Sequence, residues 1–181
     1  MNKRALLACF SAVALSAGSL FAQSVTADSK ETAGTASVSI INAQGEKIGT
    51  AGLKQEKDGV HIHLTAEKLP PGTHGFHFHM TGKCDPPKFE SAGSHFNPFN
   101  KEHGFHNPKG FHAGDLPNIE VGADGKINVD IKTEQVTLDK NKPNSLLKEG
   151  GTAIVIHEKA DDYVTDPSGN SGDRIACGVI R

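Results

Sequence analysis

Val60-His61-Ile62-His63-Leu64-Thr65 alternates apolar and polar residues at every step. That period decides the fold. Successive side chains of a strand point to opposite faces, so a period of two marks a strand with one buried face. Upstream, Val38 and Ile40 interleave with Ser37 and Ser39 in the same way, and downstream so do Phe76 and Phe78 with His77 and His79. Between such segments stand the hairpin pairs Gln44-Gly45, Asp58-Gly59 and Asp124-Gly125, which supply the left-handed backbone a tight turn needs. Further strands are predicted over 75–79, 118–121, 126–131, 152–157 and 174–180. With about eight short strands and no segment of helical period, the class is all-β, a sandwich or a flattened barrel. The 181 residues fit one domain, and 20 glycines and 9 prolines without a tryptophan suit a turn-rich β protein.

Residues 1–22 read as a secretory signal. Lys3 and Arg4 open it, an apolar stretch rich in small residues follows, and a small-residue cleavage site lies near Ala22 or Ser24. Leu6-Leu7-Ala8-Cys9 looks superficially like a lipoprotein box, but the apolar stretch continues past Cys9. The chain is therefore read as periplasmic or otherwise exported, without a lipid anchor. Residues 23–34 are expected to be a flexible mature N-terminus, and 35–181 the folded domain. Lys3 and Arg4 leave with the signal, so the mature chain is more acidic than the formal charge of -2. That balance offers no basic patch for nucleic acid, and no apolar run in the mature part is long enough for stable membrane insertion. Export leaves Cys84 and Cys177, an even pair that is a good disulfide candidate in an oxidising compartment.

Two stretches break the strand pattern. Residues 80–117 carry Pro86, Pro87, Pro98 and Pro108, and residues 158–173 are polar. Loops of this length in a compact domain are usually functional. The first also carries Cys84 and four histidines, so metal or disulfide is expected to order it in place of a hydrophobic core.

All ten histidines fall between His61 and His157. Alternation puts His77 and His79 on one face of a strand, where two imidazoles can grip one ion. His61-Ile62-His63 has the same spacing without a ligand-bearing loop after it, so His61 and His63 are read as solvent-face residues. His95, His103, His112 and Asp115 make a three-nitrogen, one-oxygen set that suits zinc. His103 is preferred to His106 because Gly104 follows it and a longer spacer separates it from His112. His157, at the end of an apolar strand, is placed to complete the His77/His79 site.

Four motifs, Gly75-Phe76-His77-Phe78-His79, Gly93-Ser94-His95-Phe96-Asn97-Pro98, His112-Ala113-Gly114-Asp115-Leu116-Pro117 and Arg174-Ile175-Ala176-Cys177-Gly178-Val179-Ile180, together resemble copper/zinc superoxide dismutase in its exported bacterial form. The resemblance covers roughly residues 35–181. It implies an eight-stranded Greek-key β-barrel, an immunoglobulin-like sandwich with long metal-binding and electrostatic loops. It also implies an enzyme that disproportionates superoxide, a small anionic substrate, to oxygen and hydrogen peroxide outside the cytoplasm, with one copper and one zinc per chain. His77, His79, His95 and His157 would be the copper ligands. His95 would bridge to zinc, which His103, His112 and Asp115 would complete. His95 and Arg174 would be the catalytic residues. Apart from the resemblance, Lys159 is read either as a rim charge that helps to focus a small anion on a net acidic chain or as an ordinary solvated charge. Asp161 would link a copper histidine to a zinc histidine, Cys84 and Cys177 would form the family disulfide, and His74 would be a buried structural histidine. Homodimers and monomers both occur in this family. The chain departs from the pattern in a short 84–95 segment and in the altered Glu102-His103-Gly104-Phe105-His106 run. The competing reading is an exported copper/zinc buffer or carrier that binds the same metals without turnover.

Overall fold

The computed structural model describes residues 34–181; the signal segment 1–22, and all but the last residue of the 23–34 segment, lie outside the described residues. Nine strands follow one another: β1 (Thr35–Asn42), β2 (Lys47–Glu56), β3 (Gly59–Ala66), β4 (Gly72–His74), β5 (Phe76–His79), β6 (Ile119–Val121), β7 (Ile127–Thr133), β8 (Thr152–His157) and β9 (Arg174–Ile180). One 3-10 turn, Glu90–Ala92, is the only helical element among the described residues.

All the pairings between these strands are antiparallel. A seven-stranded sheet runs β5-β8-β9-β1-β2-β3-β7, and β4 pairs with β6. Gly75 alone separates β4 from β5, so these two form one bent strand that reaches from the end of the large sheet to the small one. Counted so, there are eight strands. Two of the expected hairpins are in place, Gln44-Gly45 joining β1 to β2 and Asp58-Gly59 joining β2 to β3, whereas Asp124-Gly125 turns the chain between β6 and β7, which pair with β4 and β3 and not with each other. In the first, Asn42 Oδ1 accepts from the amides of Gln44 and Glu46 while Gly45 adopts a φ of 79°.

The alternation works as the sequence requires. Val38, Ile40, Leu53, Val60, Ile62, Leu64, Phe76, Phe78, Ile154 and Ile156 are buried in one core. β8 departs from alternation, with all six residues buried. Its inner residues Ile154 and Ile156 face the main core. Its outer residues Ala153 and Val155 pack in a second cluster with Phe89, Ala92 and Cys177. This corrects one expectation. Residues 80–117 do carry hydrophobic ordering, because Phe89 and Ala92 are completely buried over the outer face of β8. Burying one phenylalanine contributes about 1.5–3 kcal/mol, in addition to what the disulfide supplies. Cys84 and Cys177 are bonded beside this cluster, with Cα atoms 5.7 Å apart.

Candidate metal centre

β5 is the edge of the large sheet, and its free edge is where the site assembles. Backbone hydrogen bonds dock two pieces of the long loop onto it. Met80 N donates to Ser94 O, Phe96 N to Phe78 O, and Phe78 N to Gly114 O. These contacts bring His95 beside His79 and Asp115 beside His77. Gly114 is required at this crossing, because a Cβ there would lie 2.5 Å from Phe78 O. On the opposite edge of β5, β8 delivers His157, whose register partner on β9 is Arg174.

His77, His79, His95 and His157 thus converge, each buried, with one ligand-capable atom apiece within 4.8 Å of the others. The hydrogen bonds show which nitrogens face inward. His77 donates from Nε2 to Asp161 Oδ2 at 2.8 Å, and His79 from Nδ1 to Gly93 O at 2.8 Å. His157 donates from Nδ1 to Gly172 O at 3.4 Å. The nitrogens left over are His77 Nδ1, His79 Nε2, His157 Nε2 and, on the fourth ring, His95 Nε2. His77 Nδ1 and His95 Nε2 have no hydrogen-bond partner, and His79 Nε2 faces His157 Nε2 at 3.3 Å. Burial, reinforced by neighbouring imidazoles, holds His79 well below the ordinary histidine range, and it holds His95 at about 3 and His157 at about 2. Burial also lowers His77, against the pull of Asp161. Four neutral imidazoles therefore aim lone pairs at one space that contains no donor. Buried polar atoms normally find partners, and a cation is the partner that satisfies all four. The donor set fits copper: imidazoles alone, four of them.

The second cluster shares His95. Nδ1 of His95, His103 and His112 lie 3.0, 3.1 and 3.2 Å from a single oxygen, Asp115 Oδ1. The other oxygen accepts from the amides of Gly104 and His112. Burial alone would raise the Asp115 carboxyl, but the hydrogen bonds from His103, His112, His95 and Gly104 hold it well below the usual carboxylate range. Burial would lower His103, yet Asp115 and Asp161 push it up to about 9. Three imidazoles and a carboxylate meeting at one point fit a tetrahedral zinc ion.

Asp161 ties the two clusters together: Oδ2 accepts from His77 and Oδ1 from His103 Nε2 at 3.0 Å. Burial would raise its carboxyl, but these bonds and the Tyr163 amide hold it well below the ordinary range. Arg174 is half-buried and donates from its two Nη atoms to Phe89 O and Gly93 O, at 2.7 Å each. It is held by loop carbonyls, beyond the tether to Cys177 that its sequence position suggests. Lys159 is exposed. His74 is buried, with its ring nitrogens on Pro70 O and His157 O. His106 is exposed and packs edge-on against Tyr163, outside both clusters. His61 and His63 lie on the outer face of β3, beside Asp130.

Two contributors have no signal in the sequence. Asn118 clamps the Asp161 backbone through both side-chain atoms, and Asp166 accepts from the His103 amide at 2.6 Å. Both are ordinary loop residues whose role depends on contacts across 43 and 63 positions.

The sequence family described as copper/zinc superoxide dismutase matches residues 47–180. The chain is 57% identical over 143 residues to superoxide dismutase [Cu-Zn] 1 of Aquifex aeolicus, an alignment covering 78% of this chain and 85% of that protein. Among solved structures, a superoxide dismutase-like protein from Bacillus subtilis superposes with a TM-score of 0.78 at 50% identity, covering 80% of this chain and 97% of that one. The Cu/Zn superoxide dismutase from Brucella abortus superposes with a TM-score of 0.67 at 31% identity, covering 82% and 100%.

Proposed function

The chain belongs to the copper/zinc superoxide dismutase family, and from that premise we propose that its shared-histidine centre disproportionates superoxide. Two superoxide ions and two protons give one oxygen and one hydrogen peroxide. Copper would be held by His77 Nδ1, His79 Nε2, His95 Nε2 and His157 Nε2, and zinc by Nδ1 of His95, His103 and His112 with Asp115 Oδ1. Copper supplies the one-electron redox cycle, which zinc lacks, and zinc supplies a fixed positive charge.

The chain's residues do the rest. His95 presents one nitrogen to each cluster, so Nε2 is the atom at which a proton is stored and passed to reduced substrate. Its Nδ1 side would be held at the zinc cluster with Asp115, which lets His95 exchange a proton at Nε2 without swinging away. Asp161 orients His77 and His103 together, as carboxylates behind metal-bound histidines do. Arg174 presents positive charge beside the cluster to a small anion, which a net acidic chain would otherwise repel.

The observation that carries the reading is the set of four inward lone pairs without a donor, one of them on a ring shared with a zinc-type cluster. The test is superoxide consumption by protein loaded with one copper and one zinc. Turnover far above that of the same amount of free copper is expected. Metal binding with turnover no greater than free copper would replace this reading with that of a buffer or carrier.

The setting of that reaction is part of the same proposal. The disulfide suits an oxidising compartment, and no helix among the described residues is long and apolar enough to cross a membrane. The disulfide, together with the charged start and apolar stretch of residues 1–22, supports an exported, extracytoplasmic protein whose 1–22 segment is cleaved. Sedimentation of the loaded protein would assign it as a monomer or a homodimer.

A further inference from the structure

β3 carries a second His-x-His pair that the buried centre does not use. His61 and His63 point outward on the same face, and register places Asp130 of β7 directly opposite His63. Asp130 Oδ1 accepts from His63 Nδ1 at 2.9 Å and lies 3.1 Å from His61 Nε2. One carboxylate oxygen thus gathers two imidazole nitrogens from neighbouring strand positions. Internally Asp115 Oδ1 gathers three, and there the ligand atoms all lie within 4.8 Å of one another; on the surface the two exposed rings must close further on an ion.

We propose that His61, His63 and Asp130 form a third metal site, an exchangeable one on the barrel surface, for a borderline divalent cation with copper(II) preferred. Two imidazoles and a carboxylate are the donors such ions take, and copper(II) binds a given nitrogen–oxygen set more tightly than zinc or nickel does. The ion takes the place of the hydrogen bond from His63 and the close polar contact from His61 that now join the two rings to Asp130. Access is open. The three side chains are 35%, 49% and 60% exposed, and the register partner of His63 on β2 is Gly52, whose missing side chain leaves empty space beside the ring. The lysines flanking His61, Lys54 and Lys132, lean away toward the hairpin, where Glu56 and Asp58 neutralise them. The β3–β7 ladder fixes the backbone beneath all three ligands, while half-exposed rings remain free to close on an ion.

The test uses protein already loaded with one copper and one zinc, titrated with copper(II) ions in a non-coordinating buffer. Calorimetry is expected to show one further equivalent. Electron paramagnetic resonance is expected to show a second copper signal with nitrogen coupling, distinct from that of the buried centre. His61→Gln combined with His63→Gln should abolish this equivalent, and Asp130→Asn should weaken it. His106→Gln should leave it intact, and superoxide consumption should be unchanged in all of these variants. A loaded protein that takes up no further copper overturns the proposal, as does an extra equivalent that survives the double histidine substitution.

Discussion

His79 and Arg174 donate to the same acceptor, the carbonyl oxygen of Gly93, at 2.8 and 2.7 Å. A ring of the copper-type cluster and the one arginine beside it are therefore positioned by a single peptide group. The guanidinium spans to Phe89 O as well, a two-point grip that an ammonium cannot reproduce. Arg174→Lys should keep the charge and lose the grip. We expect superoxide turnover to fall about 10-fold in the lysine variant and further in Arg174→Ala. Only the alanine variant should also lose most of its ionic-strength dependence. Rate measurements from low to high salt separate the two effects.

Removing the carboxylate that links the clusters should weaken both metals at once. Asp161→Asn keeps the size of the side chain but cannot accept from both His77 and His103 as a charge. Copper and zinc affinity should each fall roughly 10–100-fold, measured by chelator competition. A loss confined to one metal would show that the two clusters are positioned independently.

The regular part of this architecture was legible because it is local. Thr152–His157 and Arg174–Ile180 begin and end where composition places them, since apolar runs and flanking turns mark both ends. β4 was not predicted: three residues after Pro70-Pro71 have no period to detect. The buried clusters contain the side chains that the spacing and the resemblance proposed. The burial of Phe89 was invisible, because one phenylalanine in a Pro-rich polar run gains its partners only when β8 lies beneath it. Asp130 was missed beside His61 and His63 for the same reason, since cross-strand partners depend on register.

Metal-free protein should be most stable near neutral pH and lose stability in both directions. Unfolded histidines titrate near 6.5, whereas burial holds His95 at about 3 and His157 at about 2. Below pH 6.5 the unfolded chain therefore takes up protons that the folded chain refuses. Each such histidine removes about 1.4 kcal/mol per pH unit until the folded value is reached. His103 acts with the opposite sign. Its folded value of about 9 contributes stability that is complete below 6.5 and lost as pH rises toward 9. Urea denaturation of the metal-free protein between pH 4 and 10 reads both limbs. Loaded protein should resist acid better until the metals leave, and its midpoint should exceed that of the metal-free form by an amount that grows with free metal concentration.

The disulfide and the Phe89 cluster hold the same segment by different means, so cutting one should not release it. Cys84→Ala with Cys177→Ala should cost about 4–5 kcal/mol from loop entropy, read by denaturant unfolding of the loaded protein. The folded fraction should keep most of its turnover, because Phe89 and Ala92 remain packed against Ala153 and Val155. Phe89→Ala in that background should then lower turnover sharply, as the carbonyls that hold Arg174 lose their support.

Gly169 provides a test of how tightly Asp161 is confined. Its φ is 64°, and a Cβ there would overlap Asp161 Oδ1 and come within 2.8 Å of His103 Nε2. Gly169→Ala should displace the linking carboxylate and reproduce the joint loss of copper and zinc affinity expected of Asp161→Asn. Gly150→Ala is the control. It has a similar positive φ of 79° but no atom within 4 Å of the added methyl. It should therefore cost only the left-handed strain of about 1–2 kcal/mol, with metal affinity unchanged. If the two alanine variants lost metal affinity equally, backbone strain would account for the effect and Asp161 would not be confined by Gly169. The expected result is a loss in Gly169→Ala alone, which places the constraint at the contact between this glycine and the carboxylate.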